Sequence, residues 1–108
     1  MKTFKDLVWE QDKQYPHEKL GKDPKYNSSY TVNGFTLSVV YGGGSYGAGP
    51  EADTFEVALF DDETDKMIPL ERYDDVSGWI GSHEITLLIQ TMNQQPERIG
   101  NHLQCLIN

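Results

Sequence analysis

The spacing of apolar residues changes along the 108-residue chain, and each change predicts a different element. Between Phe35 and Tyr41 the period is two: Phe35, Leu37, Val39 and Tyr41 fall on one side, with Thr36 and Ser38 opposite. This is the alternation of a half-buried strand. Tyr30–Val32 precedes it across Asn33-Gly34, a pair that accepts positive φ at both positions and so predicts a tight hairpin. Thr54–Phe60 repeats the alternation, with Phe55, Val57 and Leu59 inside and Glu56 outside. Asp61–Asp65 then turns the chain, and Lys66–Leu70 returns as a short strand. Pro69, which has no N–H to donate, places that strand at a sheet edge.

Past Gly81 the period lengthens. Ile85, Leu88, Ile89 and Met92 stand at i, i+3, i+4 and i+7, the stripe of an amphipathic helix, with Ser82 as its expected cap. Just upstream, Asp74 and Asp75 are placed to cap a short helical turn carrying Val76, Trp79 and Ile80. Pro96 ends the long helix and opens a helical extension over 96–108, where Ile99, Leu103 and Leu106 recur at helical spacing. At the other end Thr3 and Asp6 have the spacing of a capping box around a short turn, with Phe4, Leu7 and Val8 available to pack inward. The segment 11–28, polar, lysine-rich and broken by Pro16, Gly21 and Pro24, reads as a long loop pinned by Tyr15, Leu20 and Tyr26. The expected architecture is one α+β domain over 1–108: an antiparallel meander of about four strands with the C-terminal helices packed on one face.

Charge alters this picture by where it falls. The net charge is −8. Residues 1–26 carry six lysines against five acids, 27–50 carry no charge, and 85–108 balance Glu97 with Arg98. Residues 51–84 carry eleven acids against Lys66 and Arg72, so a block of −9 holds the whole excess. Direct nucleic-acid binding, which needs clustered Lys and Arg, is not expected. No apolar run approaches the roughly 20 residues of a membrane span, and the first residues lack the apolar core of a signal peptide. With Cys105 as the single cysteine, a reducing, cytoplasmic setting is expected.

Several motifs invite chemistry and do not complete it. Gly42, Gly44 and Gly47 fit GxGxxG, but that fingerprint needs a helix to start there, and Ala48–Glu51 leads into a strand. A wide, flexible loop with Tyr46 at its tip is expected instead. The acidic turn lacks the ligand register of an EF-hand. His17, His83 and His102 are scattered, and Cys105, flanked by Leu103, Leu106 and Ile107, reads as a buried thiol rather than a nucleophile. Asn27–Ser29 fits a glycosylation sequon without a secretory signal to use it. No metal, cofactor or catalytic set is expected, and the chain reads as non-enzymatic.

Met1, Thr3, Phe4, Asp6 and Leu7, then Asn33, Gly34, Leu37, Ser38 and Val39, then Gly44–Gly47 leading to Phe55–Ala58, then Asp74, Asp75, Val76, Gly78 and Trp79 before an amphipathic helix form an ordered set. In this order the chain, up to about Gln95, resembles a group of small uncharacterised α+β proteins from bacteriophages and prophages. The long polar loop and the segment after Pro96 depart from that group. The resemblance implies expression inside an infected bacterial cell, among small proteins that bind and block host machinery.

Two function classes follow. In the first, an accessory protein inhibits or modulates a host or phage protein by docking on its basic surface, its carboxylates standing in for the phosphates of nucleic acid. The expected contact residues are Tyr46, Asp61, Asp62, Glu63, Asp65, Asp74, Asp75 and Trp79, the aromatics acting as anchors because exposed ion pairs add little. In the second, the chain is a structural or assembly component of a phage particle that self-associates through the edge strand ending at Leu70 or the apolar C-terminal segment. Either a monomer or a dimer is compatible with the sequence.

Overall fold

A computed structural model describes residues 2–12, 24–70 and 76–100. A 3₁₀ turn over Phe4–Asp6 leads to strand β1 (Glu10–Gln11). Strands β2 (Lys25–Val32), β3 (Phe35–Gly42), β4 (Phe55–Asp61), β5 (Lys66–Ile68) and β6 (Val76–Ile80) follow, then helices α1 (Ser82–Gln94) and α2 (Pro96–Gly100). The class is α+β, as expected, and among the described residues the sheet has six strands, two of them short, where about four were expected.

All pairings are antiparallel, in the order β1-β2-β3-β4-β5, with β6 also on β4. β5 and β6 share one edge of β4: β5 takes Leu59, Phe60 and Asp61, and β6 takes Phe55, Val57 and Ala58. The edge strand expected to run to Leu70 is thus three residues long, and Leu70 itself is fully buried.

The β2–β3 hairpin forms as its sequence dictates. Asn33 and Gly34 have φ of 52° and 87°, both positive as a two-residue primed turn requires, and Val32 pairs Phe35. The Asn33 amide also donates to the Met92 carbonyl at 3.0 Å, tying the turn to the C-terminal end of α1. β2 begins at Lys25, earlier than expected, and Gln11 belongs to β1, so both ends of the anticipated 11–28 loop are strand. Tyr15, Leu20 and His17 lie outside the described residues. Tyr26, within β2, stacks on Tyr41 with ring centroids 5.0 Å apart.

The inner face of the sheet supplies Phe35, Leu37, Val39, Phe55, Val57 and Leu59, and α1 supplies Ile85, Leu88, Ile89 and Met92, all buried. The N-terminal segment covers part of the same face. Its capping box is present, with Thr3 N–H donating to Asp6 Oδ2 at 2.7 Å and Lys5 N–H to Thr3 Oγ1 at 3.2 Å. Phe4 N–H donates to Thr86 Oγ1 at 3.0 Å, so the turn docks on α1. Leu7 is buried, whereas Val8, expected to pack inward, is 76% exposed.

Ser28 is buried on the inner face opposite Val39, and its hydroxyl has no hydrogen-bond partner. An unpaired buried hydroxyl costs desolvation without return. Ser28→Ala is therefore expected to leave the unfolding free energy unchanged or raise it by up to about 1 kcal/mol, measured by urea denaturation. A loss above that size would reveal a hidden partner for the hydroxyl.

The segment 76–80, expected as a helical turn, is strand β6. Val76, Trp79 and Ile80 do have helical spacing, but Trp79 has φ of 57°, which no right-handed helix contains. Three of the five residues are β-branched or aromatic, and backbone pairing with β4 decides the outcome. Asp74 and Asp75, the expected caps, lie outside the described residues, as do 101–108, including His102, Leu103, Cys105 and Leu106. Of the anticipated 96–108 extension, α2 is described, with Ile99 buried.

Candidate functional site

A break in the β4–β6 ladder brings the two expected aromatic anchors together. Phe55 pairs Ile80 and Val57 pairs Ser77, so one β4 residue, Glu56, faces two β6 residues, Gly78 and Trp79. That is a bulge, and Trp79 takes the left-handed conformation within it. The β3–β4 loop fills the gap. Gly47 lies against the β4 backbone so closely that an added Cβ would come within 2.6 Å of Phe55 Cα and 2.8 Å of Glu56 N. At Gly78 an added Cβ would lie 2.5 Å from Tyr46 Cβ. Trp79 N–H donates to the Tyr46 carbonyl at 2.7 Å, and the two rings meet edge to face, 6.5 Å apart at 64°.

The loop expected to be wide and flexible is therefore closed and docked. Gly42 N–H donates to Gly47 O and Ser45 N–H to Gly42 O, both at 3.0 Å. Gly49 and Thr54 exchange backbone bonds at 2.9 and 3.3 Å. With the backbone pinned, Tyr46 and Trp79 still leave 61% of their surfaces in solvent.

The positive φ at Trp79 carries a local backbone cost. A bulky residue in the left-handed region costs about 1–2 kcal/mol relative to a relaxed conformation. Trp79→Gly is accordingly expected to leave thermal stability unchanged or raise it by up to about 1 kcal/mol, read by calorimetry. A clear fall would mean that the indole supports the fold.

The acids divide into separate places. Asp61, Glu63 and Asp65 form the β4–β5 turn: Asp61 Oδ1 accepts from Glu63 N–H at 2.9 Å and from Thr64 N–H at 3.4 Å, and Asp65 has φ of 58°. Asp62 Oδ1 accepts from the Thr36 hydroxyl at 2.7 Å. Two of these carboxylates thus serve local structure. Glu56 and Asp61 are five residues apart on an extended strand, so the turn stands about 17 Å along β4 from the bulge. The structure joins Tyr46 to Trp79 and does not bring Asp61, Asp62, Glu63 and Asp65 to them.

Two other acids converge at Gly81, the residue that follows β6. Gly81, two residues after Trp79, is the N-cap of α1, and an added Cβ there would lie 2.8 Å from Glu84 Oε2 and 3.3 Å from Asp53 Oδ2. Ser82, the expected cap, makes no side-chain cap bond; its N–H donates instead to Asp53 Oδ1 at 3.0 Å. Asp53, from the β3–β4 loop, thus caps the helix from 29 residues away. Asp53→Ala is expected to cost about 1 kcal/mol and Asp53→Asn less, as shifts of the urea midpoint. Equal stability of both variants with the parent would mean that the bond carries no energy.

The sequence singles out Tyr46 and Trp79 but not the close approaches at Gly47 and Gly78 that bring them together, nor the Asp53 cap on α1. The available signal was Gly78 inside a β-prone run, the mark of a bulge. An open cleft of about 440 Å³ at Pro24, Tyr26, Tyr41 and the Gly42–Ser45 turn contains no ionisable side chain besides the two phenols. Burial, reinforced by the neighbouring Tyr26 phenol, raises the Tyr41 pKa and keeps it neutral to higher pH than an ordinary tyrosine. Among the described residues no three His, Cys, Asp or Glu side chains gather as a metal site, and no helix is long and apolar enough to cross a membrane. Comparisons of the chain with protein-family models, curated proteins and solved structures give no match, so the functional reading rests on these residues.

Proposed function

We propose that the chain is a small acidic, non-enzymatic accessory protein that docks on a basic protein surface through Tyr46 and Trp79. The observation that carries this is an exposed tryptophan held in a strained backbone conformation by the Tyr46 carbonyl. Strain kept at an exposed aromatic has its return in a partner rather than in the fold. Two rings fixed before contact lose little freedom on binding, which is how a small patch becomes an anchor. Asp53 and Glu84 give the patch a negative rim, and the −8 net charge steers a basic partner toward it. The acidic turn Asp61–Asp65 contributes to that long-range field rather than to the contact itself. In keeping with the resemblance to small phage proteins, the reading takes the partner to be a host or phage protein that docking inhibits or modulates.

The test compares three forms of the immobilised chain in bacterial lysate: the parent, the Tyr46→Ala/Trp79→Ala double variant and the Glu63→Lys/Asp65→Asn double variant. The expected result is a protein captured by the parent and the turn variant and lost with the aromatic variant. Capture that survives loss of both rings but not the change in the turn overturns the reading.

A further inference from the structure

We propose that the Tyr46–Trp79 corner grips an arginine side chain of the docking partner. This rests on the docking reading above and adds to it the chemistry that is recognised. The rings stand 64° apart with centroids 6.5 Å apart, and with 61% of each residue exposed they present open π surface to solvent. A cation over such a face is attracted by the ring quadrupole, and the flat guanidinium makes this contact while keeping its N–H groups free at its edge.

Acceptors for those N–H groups are close by. The carboxylates of Asp53 and Glu84 converge at Gly81, two residues from Trp79. Asp53 spends Oδ1 on the Ser82 amide, and Oδ2 faces Gly81. Among the described residues after β4, the two cations are placed elsewhere. Lys66 pairs with Asp61 in the register at the far end of β4, and Arg98 donates to Gln95 beyond the C-terminal end of α1. Exposed aromatic rings with two carboxylates converging two residues further along the chain are complementary to a planar, forked cation on a long side chain and less so to the compact, strongly hydrated ammonium of lysine.

The experiment follows the indole N–H resonance of Trp79, assigned by its disappearance in Trp79→Phe, during titration of the full chain with hexa-arginine and hexa-lysine peptides of equal charge. Hexa-arginine is expected to shift this resonance and to bind at least about threefold more tightly than hexa-lysine. Trp79→Leu is expected to lower the hexa-arginine affinity at least about threefold, to the hexa-lysine value, and Trp79→Phe to retain most of it. Because the tryptophan is exposed, both variants are expected to fold, which far-UV circular dichroism checks. Equal affinity for the two peptides, or hexa-arginine binding indifferent to Trp79→Leu, overturns the inference, since charge alone would then account for the attraction. If the peptides fail while lysate capture still depends on Tyr46 and Trp79, the arginine assignment falls and the docking reading stands. If capture is also indifferent to the two rings, both fall.

Discussion

Phe55→Ala is expected to lower the unfolding free energy by about 3–5 kcal/mol, the largest effect of any single substitution considered. Phe55 is fully buried at the start of β4, and three rings converge on it: Phe4 at 4.9 Å, Tyr41 at 5.7 Å and Trp9 at 5.8 Å between centroids. Removing it leaves a cavity that these neighbours cannot close, because Phe4 is fixed through Thr86 and Tyr41 through its pairing with Tyr26 on β2. A domain of this size has about 5–15 kcal/mol in all, so the variant is expected to be marginal, with a melting temperature lower by on the order of 15–30 °C. Thermal and urea unfolding measure it. A loss below about 1 kcal/mol would show that the N-terminal segment does not share the core.

Gly47→Ala is expected to abolish the proposed docking without altering either aromatic side chain. The new methyl would meet Phe55 Cα at 2.6 Å, Glu56 N at 2.8 Å and Phe55 C at 2.9 Å. All three are backbone atoms of a central strand, which cannot step aside as a flexible side chain does. The loop must lift, breaking the bond from Trp79 N–H to Tyr46 O and separating the rings. Overpacking of this kind costs about 1–3 kcal/mol. The expected signature is faster hydrogen exchange at the Trp79 amide, loss of partner capture and a melting transition that stays cooperative. Retained capture together with fast exchange would mean that the rings bind without being held.

How far the sequence reveals this molecule depends on the range of the forces involved. The β2–β3 hairpin, the β4 alternation, the capping box and the α1 stripe are each decided by residues within a few positions of one another, and they can be read directly. β1 cannot, because two residues become a strand only when Asn27 and Tyr26 are beside them. β6 is hidden by its bulge: two residues opposite Glu56 break the alternation and leave Val76, Trp79 and Ile80 at helical spacing. The cap of α1 comes from Asp53 rather than from the chemically suitable Ser82, a choice made by the loop that delivers the carboxylate. The site is legible in the same degree. Tyr46 and Trp79 stand out singly, but their meeting is a product of topology, and topology also sets the Asp61–Asp65 turn apart from them.

The way β5 and β6 divide one edge of β4 bears on how the chain can change its length. Ile68 pairs Leu59 and Val76 pairs Ala58, so the chain leaves the sheet and re-enters it on neighbouring rungs. Leu70, fully buried, anchors the departing end. A connection between those two rungs has a short distance to span, and its closure entropy grows only with the logarithm of its length. A guest sequence such as an affinity handle has its natural point of entry there, leaving the bulge, the loop packed into it and the paired rings as they are.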